Sequence, residues 1–226
     1  DVNAMRNLAR IDGRVDALVP YMLTISCGGT ADMACTQGFL ERHGLEEEDL
    51  VEFRYRGHGW PGDHYARAHD GREAREWYAD MIYGRARPYQ FRCKLCPDHT
   101  GEQADVSVMD PWPKGYPEEE APGECLFQTR TEKGDALVRA AGRDGYLDLE
   151  PSDVAFMRQT QPHQVIKKRG MLARLLAMRC AGEPLPRFRN IRLGRAALGI
   201  HPMFHWRNFA GALRRIRAGG SHEAAP

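Results

Sequence analysis

Between residues 51 and 62 the chain changes character abruptly, and this constrains the fold more than any other stretch. Val51, Phe53 and Tyr55 alternate with Glu52, Arg54 and Arg56, the period-two pattern of a strand with one wet face. The strand runs into Gly57-His58-Gly59-Trp60-Pro61-Gly62, where three glycines and a proline preclude regular structure. Another strand or hairpin is expected around Tyr65, and a helix near Ala74 to Tyr83.

Strand and helix patterns interleave along the rest of the chain. Val2, Met5, Leu8, Ile11, Val15 and Leu18 recur at helical spacing, weakened at Gly13 and stopped by Pro20. Tyr21 to Ser26 reads as a short buried strand ending at Cys27, and Ala31 to His43 as a helix closed by Gly44. Ala104, Val106 and Val108 mark one further strand and Cys125 to Arg130 another; Thr131 is placed to cap a helix ending at Gly142. Four prolines and three consecutive glutamates make 111–123 an exposed loop. Val165, Leu172, Leu175 and Leu176 share one face of a helix reaching about Cys180, which Pro184 and Pro186 end. The expected class is α/β (mixed α+β). It has a central mixed sheet flanked by helices, an irregular Cys-bearing loop at Phe91 to Gly101, and a basic C-terminal arm. The division is 1–182 for the body and 183–226 for the arm.

Hydrophobic residues make up 42% and charged residues 28% of 226, a globular composition with length enough for a sizeable core. No run of about 18 apolar residues and no signal-peptide pattern is present, so no membrane span is expected and a cytoplasmic setting is the default. The net charge of +1 hides an asymmetry. From Arg158 onward there are 14 Lys and Arg against Glu183 and Glu223, while residues 1–157 carry 18 basic and 29 acidic side chains. With 27 Arg to five Lys, bidentate contacts to carboxylate or phosphate are favoured. Either the tail meets an acidic partner or phosphate-bearing group, or it folds back onto the acidic body.

Six cysteines in such a chain argue for buried thiols or metal ligation rather than a disulfide framework. Cys93-Lys-Leu-Cys96-Pro-Asp can point two thiolates at one metal centre, compatible with iron–sulfur, zinc or a redox dithiol. Cys27 precedes Gly28-Gly29, which lets backbone approach a cofactor closely. Cys35, Cys125 and Cys180 fall in helix or strand patterns, as small buried hydrophobes do. His99 can instead complete a zinc site with Cys27, Cys93 and Cys96. Arg56 can pair with phosphate, the glycines at 57 and 59 expose N–H groups, and Trp60 can stack on a planar ring. A tight turn with Arg56 paired to a nearby acid is the alternative. Asp98, Asp105 and Asp110 can serve as acid or base, although such residues more often cap helices or close turns. His163 reads as a helix-start surface residue, and Lys167, Lys168 and Arg169 as a solvated face within reach of a pyrophosphate or an acidic protein. No Gly-x-Gly-x-x-Gly follows a strand.

Taken together, Cys27-Gly-Gly, Phe53-Arg-Tyr-Arg-Gly-His-Gly-Trp-Pro-Gly62 and Arg92-Cys-Lys-Leu-Cys-Pro-Asp98 resemble the beta subunit of coenzyme F420 hydrogenase/dehydrogenase. So do Gly101-Glu-Gln-Ala-Asp105, Asp110-Pro-Trp112 and Arg130-Thr-Glu-Lys-Gly134. The resemblance covers about residues 1 to 180 and the C-terminal part of such subunits. It implies a flavoprotein with FAD and a 4Fe–4S cluster, passing electrons between an iron–sulfur relay and a deazaflavin or another two-electron acceptor. Related members reduce chlorophyll-type substrates with electrons from ferredoxin. By the same resemblance Cys27, Cys93 and Cys96 are cluster ligands, completed by a cysteine that would precede Asp1, and Arg56, Gly57, His58, Gly59 and Trp60 bind the flavin cofactor. The implied partners are an electron donor (ferredoxin or an iron–sulfur subunit) and a small-molecule acceptor. Two other readings are a zinc-stabilised nucleic-acid binder, against which the tail has few interleaved aromatics, and a scaffold subunit with a vestigial site.

Overall fold

Six strands form two three-stranded sheets among the described residues, where the interleaved pattern suggested one central sheet. The computed structural model describes residues 1–30, 33–78, 90–111, 122–189 and 191–220. The mixed α/β class is as expected. The Pro/Glu-rich stretch falls mostly on 112–121, outside the described residues. The chain divides into two compact units. The first comprises Asp1–Gly28, Leu95–Pro113 and Cys125–Pro226, the second Gly29–Lys94 and Lys114–Glu124, each taken over its described residues.

In the first unit the expected leading helix breaks at Gly13 into α1 (Val2–Ala9) and α2 (Arg14–Leu18). Strand β1 (Leu23–Ile25) pairs in parallel with β5 (Val106–Met109), and β5 pairs antiparallel with β6 (Leu126–Thr129). β1 is therefore an edge strand, and Leu23 and Ile25 are exposed rather than buried as the sequence suggested. The Thr131 side chain accepts the Gly134 N–H and caps α5 (Glu132–Arg143). Then follow α6 (Val154–Thr160), α7 (Pro162–Lys167), α8 (Met171–Cys180), α9 (Leu193–Ala197) and α10 (Pro202–Arg217). Met109, Leu126 and Met157 form a buried cluster joined by Phe156 and Val165.

The face of α8 that the leucines suggested is not the buried one. Leu172 and Leu176 are exposed, while Met171, Ala173, Ala177 and Met178 are buried. Small side chains at 173 and 177 admit a close neighbour, and α10 packs on α8 with its own Ala212 and Ile216 buried. Asn208 fixes the register: it takes two hydrogen bonds from Arg174 (3.0 and 2.7 Å), and a side chain at Gly170 would strike it. The C-terminal residues thus contribute to the packing of this unit as well as carrying charge.

In the second unit α3 (Met33–His43) ends at Gly44, whose φ of +63° is the left-handed conformation expected of a helix-closing glycine. Strands β2 (Leu50–Gly57), β3 (Asp63–Ala68) and β4 (Glu73–Trp77) form an antiparallel meander in the register Phe53↔Ala66↔Ala74. The helix expected from Ala74 is instead strand β4, because pairing with β3 overrides the local preference of Glu73-Ala-Arg-Glu; residues 79–83 lie outside the described residues. Phe39, Leu40, Leu45, Ala66, Ala68 and Ala74, with Leu50 and Phe53, form its core. Buried His64 lies among Phe39, Phe53 and Tyr55 at ring-centroid distances of 4.2, 5.2 and 5.5 Å, tilted against the first and edge-on to the other two.

Candidate functional site

Cys27 leaves β1 on a backbone that is locked in both directions. Its N–H donates to the His99 carbonyl (2.9 Å), and the Ser26 hydroxyl donates to the same oxygen (3.0 Å). His99 Nδ1 in turn lies 2.8 Å from the Cys27 carbonyl oxygen. That oxygen can only accept, so Nδ1 carries the proton. His99 is 3% exposed, and burial, reinforced by Lys167 and Arg174, lowers its pKa to about 4. The ring is therefore neutral and its buried Nε2 makes no hydrogen bond among the described residues. A zinc site using His99 would have to take it through Nε2, because Nδ1 is committed to Cys27.

The loop around Cys96 is tied to the same place. Its Sγ lies 3.3 Å from the Asp98 carbonyl, and Asp98 accepts the Glu102 N–H (2.7 Å). Asp98 thus closes a turn, the commoner role for such a residue. Gly101 takes φ +66°, and a Cβ there would lie 2.4 Å from Thr24 and 2.8 Å from Ser107. The loop can sit on the sheet only with glycine at this position. Lys167 donates to the Gly28 carbonyl (2.6 Å) and Lys168 pairs with Glu102 (2.7 Å), so both have fixed partners where a solvated face was expected. Sequence reasoning missed this use of the lysines, since nothing in their spacing points to residues over sixty positions away.

Cys93 belongs to the second unit, on the one-turn helix α4 (Phe91–Lys94) where a loop was expected. The Thr30 N–H donates to its Sγ (3.3 Å), while Gln90 N–H and Thr30 carbonyl pair at 3.2 Å. None of the six cysteines is in a disulfide, and among the described residues no three His, Cys, Asp or Glu side chains gather as a metal group. Cys125 and Cys180 are exposed, contrary to the buried-hydrophobe expectation.

The loop from Arg56 to Trp60 is shaped by its own close approaches. His58 and Gly59 take φ +58° and +130°, and a Cβ at Gly62 would lie 2.7 Å from the Gly57 carbonyl. Arg56 Nε donates to the Pro61 carbonyl (2.7 Å) and its guanidinium lies 4.6 Å over the Tyr78 ring. His58 approaches Glu52 (3.5 Å), and a Cβ at Gly123 would lie 3.0 Å from the Trp60 indole. A fixed guanidinium plane, glycine backbone and an indole thus stand within five residues of one another.

Asp105 is a structural carboxylate and no free acid or base. Fully buried, it accepts from the Met22 N–H (2.8 Å) and the Thr131 hydroxyl (2.7 Å), and pairs with Arg6 (3.1 Å) and Lys133 (3.3 Å). Burial acts to raise its pKa, but these donors outweigh that and leave it lowered. Its own carbonyl accepts the Arg130 N–H, and a Cβ at Gly134 would lie 2.3 Å from that carbonyl. Gly101-Glu-Gln-Ala-Asp105 and Arg130-Thr-Glu-Lys-Gly134, far apart in sequence, are therefore two halves of one junction.

A family model for the C terminus of the coenzyme F420 hydrogenase/dehydrogenase beta subunit matches residues 1–155. The chain belongs to this family. The matched span holds Cys27, Cys93, Cys96, the Arg56–Trp60 loop and the Asp105 junction, and leaves α7 to α10 outside it. Membership in the F420 hydrogenase/dehydrogenase beta-subunit family makes this an oxidoreductase subunit type that works with partner subunits. No curated protein matches the chain. No helix among the described residues is long and apolar enough to cross a membrane.

Proposed function

We propose that this chain carries the cofactor-binding part of an iron–sulfur flavoprotein subunit, with Cys27, Cys93 and Cys96 as ligands of a 4Fe–4S cluster and Arg56 to Trp60 at the FAD. The observation that carries this is the family match, whose span includes every one of these residues. The donor sets have suitable chemistry. Three thiols outside any disulfide, one of them receiving a backbone N–H, suit iron–sulfur ligation. A guanidinium, glycine backbone and an indole suit a pyrophosphate and a flat ring. Bound together, such groups exchange electrons singly at the cluster and singly or in pairs at the flavin.

The protein's own contributions follow from the geometry above. Locking of Cys27 by His99 holds one ligand's backbone still, and the Thr30 N–H moderates charge on the Cys93 sulfur. Arg56, held by Pro61 and Tyr78, presents a fixed charge beside the glycine turn. The electron donor is a partner subunit or ferredoxin, and the acceptor a deazaflavin or another two-electron acceptor. Anaerobic purification with iron, sulfide and flavin analysis tests the reading. Colour with iron, sulfide and bound FAD is expected; stoichiometric zinc without iron, or no bound cofactor in the presence of the partner subunits, overturns it.

A further inference from the structure

The eight arginines between Glu183 and Glu223 are all exposed, in a stretch without a single Asp or Glu. Among the described residues none of them pairs with a carboxylate, although the rest of the chain carries an excess of acids. Among the described residues the basic tail therefore does not neutralise the chain's own acids. Protein surfaces mix signs, so a stretch of one sign this long is complementary to a uniformly anionic surface.

The outer face of α10 shows which kind. Met203, Trp206, Arg207, Arg214 and Arg217 stand at helical spacings of three, four and seven, one side of a helix, and all five are exposed. The opposite side, at Ala212 and Ile216, is occupied by packing on α8. Trp206 is 61% exposed and stacks on Phe209 at 5.8 Å, and Leu198, just before the helix, is 75% exposed. Leu172 and Leu176 on α8 are exposed as well. Arginines alone would suit nucleic acid; a tryptophan, a methionine and a leucine held out among them suit insertion between lipid headgroups.

We infer that the outer face of α10, with Leu198, is a docking surface for an anionic phospholipid bilayer. Arg207, Arg214 and Arg217 meet headgroup phosphates, and Met203, Trp206 and Leu198 enter the interface without crossing it. The segment lies outside the matched family span, so the surface is a property of this chain and does not depend on the proposed cofactors.

The test uses the whole chain and extruded vesicles of phosphatidylcholine with or without phosphatidylglycerol. Co-sedimentation with the anionic vesicles only is expected, with a blue shift of emission that disappears in Trp206→Phe. The triple variant Arg207→Gln, Arg214→Gln, Arg217→Gln should bind about a hundredfold more weakly, as expected for three charges near the surface. Circular dichroism checks that these exposed substitutions leave the fold intact. Absence of vesicle binding, equal binding to pure phosphatidylcholine, or full binding by the triple variant each overturn the inference. So does arginine-dependent self-association without vesicles. Arginine-dependent binding to duplex DNA that ignores Trp206→Ala, with vesicles unbound, would assign the face to nucleic acid instead.

Discussion

Asp105 shows how much of this chain's organisation rests on single side chains. Its carboxylate gathers α1, the approach to β1 and the start of α5, and no sequence spacing announces that role. Asp105→Asn removes the charge that Arg6 and Lys133 face, and should cost about 3 kcal/mol in denaturant unfolding at neutral pH. Because the folded pKa lies below the ordinary carboxylate value, the carboxylate's contribution is complete above that value and fades as pH falls through the folded one. The wild type should therefore lose more stability than Asp105→Asn when both are titrated below about pH 4, as followed by thermal melts. Gly134→Ala should be damaging at all pH values, since its Cβ would lie 2.3 Å from a backbone oxygen that has no room to give. A loss of about 2 kcal/mol or more is expected; an Ala variant as stable as wild type would show that the junction relaxes.

Among the elements, the strands that alternate cleanly were legible in advance and the helices that share a partner were not. β2, α3 and the Thr131-capped α5 form where their local patterns put them, because alternation, a closing glycine and a capping hydroxyl act within a few residues, although Val51 and Tyr55 on the expected dry face of β2 are exposed. β4 and α8 depart from theirs because a neighbour decides them: β3 draws Glu73–Trp77 into the sheet, and α8, packed with α10, buries Ala173 and Ala177 and leaves Leu172 and Leu176 exposed. Ile216→Ala, which opens the α8–α10 contact, should lower stability by about 2 kcal/mol, whereas Leu176→Ala should change it by no more than about 0.5 kcal/mol. Urea unfolding of the two variants distinguishes this packing from the leucine-inward alternative, which demands the reverse order.

At the scale of the whole molecule, the proposed cluster predicts one shared outcome for its three ligands. Cys27→Ser, Cys93→Ser and Cys96→Ser should each strip iron and sulfide to a similar low level, while Cys35→Ala and Cys180→Ala keep wild-type content, as measured anaerobically. Retention of full cluster content by Cys93→Ser would remove the assignment. The order of short motifs along residues 27–134 was enough to reach the family, because closely spaced cysteines, turn glycines and capping residues are set by local chemistry that a sequence displays directly. What only the tertiary structure decided is how distant motifs are used. It joined Gly101–Asp105 to Arg130–Gly134 through a buried carboxylate, clamped Cys27 with His99, and turned the arginines of the C-terminal stretch outward, away from any carboxylate among the described residues. Such pairings depend on which surfaces bury each other, and a linear pattern carries the apolar faces of each element but not the identity of the neighbour that covers them.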